Sequence, residues 1–204
     1  MEPPFFLSLY RINNSMNKTD IRKYYRHKRM LLTGAEKNKL EDLMLIHFQQ
    51  VNLDIPGTLM TYAPMEHFNE YDPHLVNKYC EFKNPGIQLY YPLVQSNNII
   101  PILFSDETVF EKNAWGVSEP AHGIAGNKKD IDWILVPLLA FDNKGYRVGY
   151  GKGFYDSFLA GCRPDCLKFG FSFFDPVDRI DDINSHDIPL DICITPGSIY
   201  HFSD

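Results

Sequence analysis

The residues whose types and spacing could do chemistry are concentrated in Phe141-Asp-Asn-Lys-Gly-Tyr-Arg-Val-Gly-Tyr-Gly-Lys-Gly-Phe-Tyr-Asp156. Gly149, Gly151 and Gly153 alternate, and without Cβ atoms their backbone N–H groups can turn outward to a ligand. Arg147 and Lys152 bracket the run with two cations, and a helix starting near Phe154 would add its positive N-terminal end. This combination reads as a phosphate cradle. It is not a Walker A loop, because Tyr146 stands where the first Gly is needed and Gly153 where Ser or Thr should follow the Lys. Nor is it a dinucleotide fingerprint, because Phe154 occupies the third Gly position. The plainer alternative is a glycine-rich turn that closes a strand–helix corner.

A cradle needs supporting charges, and the sequence offers two sets. On a helix turning 100° per residue, Lys18, Arg22, Arg26 and Arg29 fall within an arc of about 80°. This cationic stripe is either a solvated face or the wall facing a nucleoside triphosphate. In the second case Lys18 and Arg22, near the helix start, are the functional members, and Arg29 could equally be surface. The second set is acidic. Asp156 closes the glycine segment, and Asp187 sits in Asn184-Ser-His-Asp-Ile-Pro-Leu-Asp191 before the final strand. If they meet, they can hold Mg2+ beside a polyphosphate, since that cation takes one or two carboxylates with phosphate oxygens and waters. Read singly, Asp156 is a helix-start carboxylate, Asp187 a turn residue and His186 an exposed loop histidine.

These residues must be positioned by regular elements. Residues 18–32 read as a helix, and Thr33-Gly-Ala-Glu36 as the capping box of a second, with Leu40, Leu43, Met44 and His47 on one stripe. Strand-like runs follow at 58–63, 87–91, 99–104, 131–136, 168–172 and 191–195, with a helix around 73–83 and a short one after the glycines. Trp133 to Phe141 is almost continuously apolar, as a strand buried on both faces should be. Helices alternating with such strands indicate a layered α/β domain with a mainly parallel sheet. Trp115-Gly-Val-Ser-Glu-Pro120 reads as a loop with an aromatic plug.

Composition narrows the classes. The 204 residues, 44% hydrophobic and 23% charged, have globular proportions and suit one domain with a proper core. Residues 1–50 carry nine Lys/Arg against five Asp/Glu, a balance of +4, and residues 51–204 carry eleven against twenty-one, a balance of -10. An acidic chain with a basic start argues against nucleic acid and for a small anion. No apolar run reaches the roughly 18 to 20 residues of a membrane span, and the amino terminus lacks a signal-peptide pattern. Cys80, Cys162, Cys166 and Cys193 do not form a disulfide framework, and the C-x3-C pair lacks a partner at zinc spacing. A cytoplasmic protein with reduced thiols is expected, with no membrane or nucleic-acid partner, as monomer or dimer.

Arg147–Asp156, after a buried strand and Phe141-Asp-x-x-Gly145, resembles the signature of the 5-formyltetrahydrofolate cyclo-ligase family. Lys18-x-x-Ile-Arg22 resembles its amino-terminal ATP-contacting motif, and Trp115-Gly-Val-Ser-Glu-Pro120 its central segment. His186-Asp187, followed by Leu190-Asp191, resembles its acidic carboxy-terminal motif. Phe154 stands where Tyr is common. The resemblance implies a single three-layer α/β domain over 18–204, with a mainly parallel sheet flanked by helices as in sugar-phosphate isomerases and CoA-transferases. Residues 1–17 form an amino-terminal extension without a counterpart.

The resemblance also implies ATP- and Mg2+-dependent ring closure of 5-formyltetrahydrofolate to 5,10-methenyltetrahydrofolate. Carried over by position, Lys18, Thr19, Asp20, Ile21 and Arg22 contact ATP. So do Arg147, Val148, Gly149, Tyr150, Gly151, Lys152, Gly153, Phe154 and Tyr155, with Arg147 and Lys152 in catalytic roles. Asp156 and Asp187 hold Mg2+. Met65 and Glu70 match substrate-contacting positions, and Trp115 and Tyr155 offer aromatic walls to the pterin. Phosphoryl transfer needs positioning and charge neutralisation rather than a covalent protein group, and no nucleophilic triad stands out. The alternatives are a non-catalytic folate- or nucleotide-binding relative, and an isomerase or CoA-transferase-like enzyme of the same fold.

Overall fold

The computed structural model describes residues 15–202, so most of the extension lies outside the described residues. Its last residues, Ser15–Met16, pair in parallel with Arg179–Ile180. Two helices then open the domain: α1 (Lys18–Met30) and α2 (Gly34–Gln50). Both start where side-chain caps are available. Asn17 Oδ1 accepts from the Asp20 amide at 2.9 Å. Thr33 and Glu36 form the reciprocal capping box expected from the sequence, which satisfies amides that have no partner within the helix. A third helix, α3 (His74–Lys83), also matches its expected bounds.

The main sheet has seven strands: β1 (Thr58–Met60), β2 (Gln88–Gln95), β3 (Asn98–Leu103), β4 (Trp133–Val136), β5 (Leu167–Phe171), β6 (Ile192–Ile194) and β7 (Ile199–His201). Their spatial order is β7-β6-β5-β4-β1-β2-β3. The five strands from β6 to β2 are parallel, and β3 and β7 close the edges antiparallel. The sheet is therefore mainly parallel with helices packed on it. Alternation sorts its side chains. Leu59, Trp133, Leu135, Phe169, Phe171, Ile192 and Ile194 face one way and pack with Met44 and Phe48 of α2 and Val76 and Cys80 of α3. Met60, Ile134, Val136 and Cys193 face the other way with Phe141, Phe158 and Leu159. Ile21 and Tyr25 of α1 pack on Leu139, Ala140 and Val148, so α1 rides over the hairpin that enters the glycine loop.

The segment 110–120 differs from the expected loop. Phe110–Lys112 pairs antiparallel with Ser118–Pro120, and Asn113 organises the turn by accepting from the Trp115 and Val117 amides at 3.0 and 3.1 Å. Trp115 is not a buried plug, since it is 46% exposed. It lies against Phe154, with ring centres 5.7 Å apart.

Candidate active site

In doubly wound sheets ligands bind beyond the carboxyl ends of strands, where the strand order reverses. Here that point lies between β1 and β4, and residues of the segments following them, Tyr62, Ala63, Met65, Phe68, Glu70 and Pro137, line a cavity of about 550 Å³. Lys18 and Arg22 of α1, Trp115, the whole span Arg147–Asp156 and Asp187 line the same cavity. The basic helix, the glycine loop and the two acids, far apart in sequence, therefore meet.

The glycine segment folds as a hairpin followed by an open loop. Ala140–Phe141 pairs antiparallel with Arg147–Val148. The turn between them depends on Asp142, which is buried and accepts from the amides of Lys144, Tyr146 and Ile180. Gly145 is needed because its φ is +81° and a Cβ would strike Phe202 at 2.7 Å. Gly151 and Gly153 also have positive φ, +89° and +72°. The helix that follows, α4 (Phe154–Leu159), has six residues, so its dipole contribution is small beside the loop amides and side-chain charges. Arg22 donates through Nε to the Gly149 carbonyl at 2.9 Å. A Cβ at Gly151 would come 3.2 Å from the Arg22 guanidinium carbon. Lys152 is exposed, with Nζ 5.7 Å from the Trp115 ring centre.

The acids are held in a charged cluster. Lys18 Nζ contacts Asp187 Oδ2 at 2.5 Å, and Arg147 contacts Asp156 Oδ1 at 3.0 Å. Asp156 Oδ1 also accepts from the Ile188 amide at 3.1 Å, and Arg147 donates to the Ile188 carbonyl. The residue after Asp187 is thus tied directly to Asp156. Burial pulls the Arg147 pKa down, and Asp156 opposes the shift. Asp156 uses Oδ1, and Asp187 Oδ2, for every one of these bonds. Neither second oxygen takes part in them. Among the described residues no group of three or more His, Cys, Asp and Glu could hold a metal alone. Two carboxylates with one oxygen each in reserve, beside a cleft for a polyanion, fit Mg2+ as a shared ligand of protein and phosphate.

The opposite end of the cavity is built around Glu70, which is 2% exposed. It accepts from the Met65 amide at 2.8 Å and from the Tyr150 hydroxyl at 2.5 Å. That hydroxyl accepts from Arg29 at 2.5 Å. Burial pushes the Glu70 carboxyl up, and Arg29, Tyr150 and Met65 hold it back. Asn69, with φ +52°, fixes the turn carrying Glu70 by donating to the Arg29 and Leu32 carbonyls at the end of α1. The Tyr155 hydroxyl, also on the cavity, is buried and finds no partner, and its pKa is pushed up by burial and then by Glu70. A hydroxyl placed this way can bond a ligand or a water in the cavity.

Several expectations need correcting. Of residues 18–22, only Lys18 and Arg22 line the cavity. Ile21 is fully buried in the core, because the same helical period that aims Lys18 and Arg22 at the cleft turns Ile21 to the sheet. Asp20 and Thr19 are exposed, and Asp20 is bonded to the cap residue Asn17. Arg29 is not surface: it is 3% exposed and donates to the Phe68 and Leu138 carbonyls as well as to Tyr150. Tyr150, expected with the nucleotide, places its hydroxyl on Glu70. Tyr62, Phe68, Asn113 and Glu119 also line the cavity and were not singled out. Of these, Tyr62 lies in the strand-like run 58–63 and Glu119 in the segment Trp115–Pro120.

Fold and cleft define a doubly wound α/β protein with a ligand cavity at its switch point, basic on one wall and acidic at both ends. The sequence model of the 5-formyltetrahydrofolate cyclo-ligase family matches residues 17–196, and the chain belongs to that family of enzymes. A 5-formyltetrahydrofolate cyclo-ligase of Mycoplasma pneumoniae is 28% identical over 186 residues, 88% of this chain and 98% of that protein. The solved 5,10-methenyltetrahydrofolate synthetase of Aquifex aeolicus superposes with a TM-score of 0.77 at 28% identity, covering 93% of this chain and 94% of the other. That of Mycoplasma pneumoniae gives 0.69 at 26% identity, covering 89% and 99%.

Proposed function

We propose that the protein closes 5-formyltetrahydrofolate to 5,10-methenyltetrahydrofolate at the expense of ATP, with Mg2+, in the cytoplasm. The observation that carries this reading is the single cavity that joins the Lys18, Arg22, glycine-loop, Asp156 and Asp187 end to the Met65, Glu70 and Tyr155 end. The formyl oxygen takes the γ-phosphoryl group and ADP leaves. N10 then attacks the formyl carbon and loses its proton, and the carbon–oxygen bond breaks with its electron pair departing on phosphate.

The chain's own residues supply positioning and charge. Lys18, Arg22 and the loop amides hold the polyphosphate, and Arg147 and Lys152 neutralise charge that grows on the transferred group. Asp156 and Asp187 would hold Mg2+, which when bound adds further neutralisation at the phosphate oxygens. Glu70 accepts from the pterin N–H donors, the Tyr155 hydroxyl gains a partner, and Trp115 covers the mouth. A sugar-phosphate isomerase would need a general base over its substrate. Here Asp156 and Asp187 are engaged by cations, Glu70 by the Tyr150 hydroxyl and the Met65 amide, and Glu119 by the Val94 and Asn113 amides.

The test is direct. Purified protein with 5-formyltetrahydrofolate and Mg·ATP should develop the methenyl product's absorbance, with one ADP released per product. Folded protein that binds both compounds without turnover would instead be the non-catalytic relative. Folded protein that binds neither would remove the reading.

A further inference from the structure

Four carboxylates line the cavity: Glu70, Glu119, Asp156 and Asp187. Three have charged neighbours. Asp187 contacts Lys18 and Asp156 contacts Arg147, and Glu70 feels the charge of Arg29. Glu119 differs. It is 9% exposed, yet among the described residues no ion pair reaches it. It accepts from uncharged donors, the Val94 amide and the Asn113 side-chain amide, each at 3.1 Å and both on Oε2. Oε1 takes part in neither bond. The neighbours that share this wall, Val94, Ile99 and Val117, are apolar. A carboxylate held out of water without a cation is costly, and hydrogen bonds to one oxygen offset only part of that cost.

The proposed reaction supplies the missing charge. The N5-formyl group of the substrate is neutral. The product carries one positive charge, delocalised over N5, the bridging carbon and N10. An interaction that strengthens as this charge develops lowers the barrier, whereas one equally strong in the ground state does not. We infer that Glu119 is a catalytic residue whose carboxylate is the counter-charge of the forming amidinium cation. Its strand and the Asn113 turn hold it rigidly, so no reorganisation is needed when the charge appears. The inference rests on the folate reading above and adds a residue to it.

Glu119→Gln keeps the shape and one acceptor oxygen for Val94 and Asn113, and removes only the charge. The expected result is a kcat lower by about 10²-fold, within the range for losing one preorganised electrostatic partner. Binding should split. Affinity for 5,10-methenyltetrahydrofolate, measured at mildly acidic pH, should fall at least about tenfold, the loss expected of a single charged contact. Affinity for neutral 5-formyltetrahydrofolate and the melting temperature should hold. An unchanged kcat, or equal weakening of both ligands with a lower melting temperature, would make Glu119 a structural clamp and overturn the inference.

The wild-type protein gives a second measurement that needs no variant. It should prefer the methenyl cation to neutral 5,10-methylenetetrahydrofolate, which has the same ring skeleton, and equal affinities would overturn the inference. Failure of the folate reading itself would show differently, as wild-type protein that binds none of these folates.

Discussion

Arg22 and Arg29 lie seven residues apart on one helical face, about 20° from each other, and the structure gives them opposite jobs. Arg29→Ala removes three donations made by a buried side chain: to the Phe68 and Leu138 carbonyls and to the Tyr150 hydroxyl. Each abandoned acceptor costs about 1–3 kcal/mol, and some will find water, so the sum is about 3–6 kcal/mol. That is a large share of the roughly 5–15 kcal/mol by which domains are stable. At about 2–4 °C per kcal/mol for a chain of this size, the melting temperature should fall by roughly 6–24 °C. Arg22→Ala removes one half-buried bond to Gly149, worth about 1 kcal/mol, so its melting temperature should fall by no more than about 4 °C. If Arg22 holds phosphate, losing a charged contact of about 1.5–3 kcal/mol should raise KM for ATP roughly 10- to 150-fold. Thermal melts and initial rates of methenyl formation against ATP, taken below both melting temperatures, separate the two. The reasoning is refuted if Arg29→Ala melts like wild type and raises KM for ATP as much as Arg22→Ala.

Glu70 should make stability pH-dependent. Its folded pKa is raised by burial above the ordinary 4.5, so the wild type loses stability relative to Glu70→Gln as pH rises from that value through the folded pKa. Urea melts across that window should show the difference, and a gap independent of pH would contradict it. Asp187→Asn should raise the Mg2+ concentration for half-maximal activity by at least about tenfold, since a carboxylate ligand is lost; an unchanged Mg2+ titration would exclude Asp187 as a ligand. Gly151→Ala places a side chain at φ +89° and against the Arg22 guanidinium, so KM for ATP should rise while folate affinity holds. Equal effects on both substrates would point to general collapse of the loop.

What was legible in the sequence was local. The capping box at Thr33 and Glu36, the bounds of α3 and the alternating strands follow from neighbours a few residues apart. Asp142 and Gly145 could be seen as a motif for the same reason, since one turn needs both. What escaped depends on contacts across the chain. Arg29 looked like one more member of a solvated stripe, because its acceptors, Phe68, Leu138 and Tyr150, come from other elements. The 110–120 hairpin escaped because two three-residue strands give too short a pattern to read. Tyr150 was assigned by its place in the loop, whereas its hydroxyl is directed by Glu70, eighty positions earlier.

The basic stripe of α1 is best understood as a rigid spacer. Its four cations rise along about 16 Å of helix, at 1.5 Å per residue from Lys18 to Arg29. Lys18 meets Asp187 at the acidic end, Arg22 lies on the glycine loop, Arg26 stacks over Phe68 with 4.4 Å to the ring centre, and Arg29 reaches Tyr150 beside Glu70. Both ends of the helix are pinned. Asn17 caps the first turn, and the Lys18 amide donates to Asp182 at 2.7 Å. Arg29 and Asn69 fasten the last turn to the segment carrying Glu70. The separation between the proposed phosphate end and the proposed pterin end is therefore set by a structure that does not stretch. A reaction that joins two bound molecules gains most when their separation is fixed in advance. On this account the burial of Arg29 serves the chemistry only indirectly, by holding the spacer that Lys18 and Arg22 use.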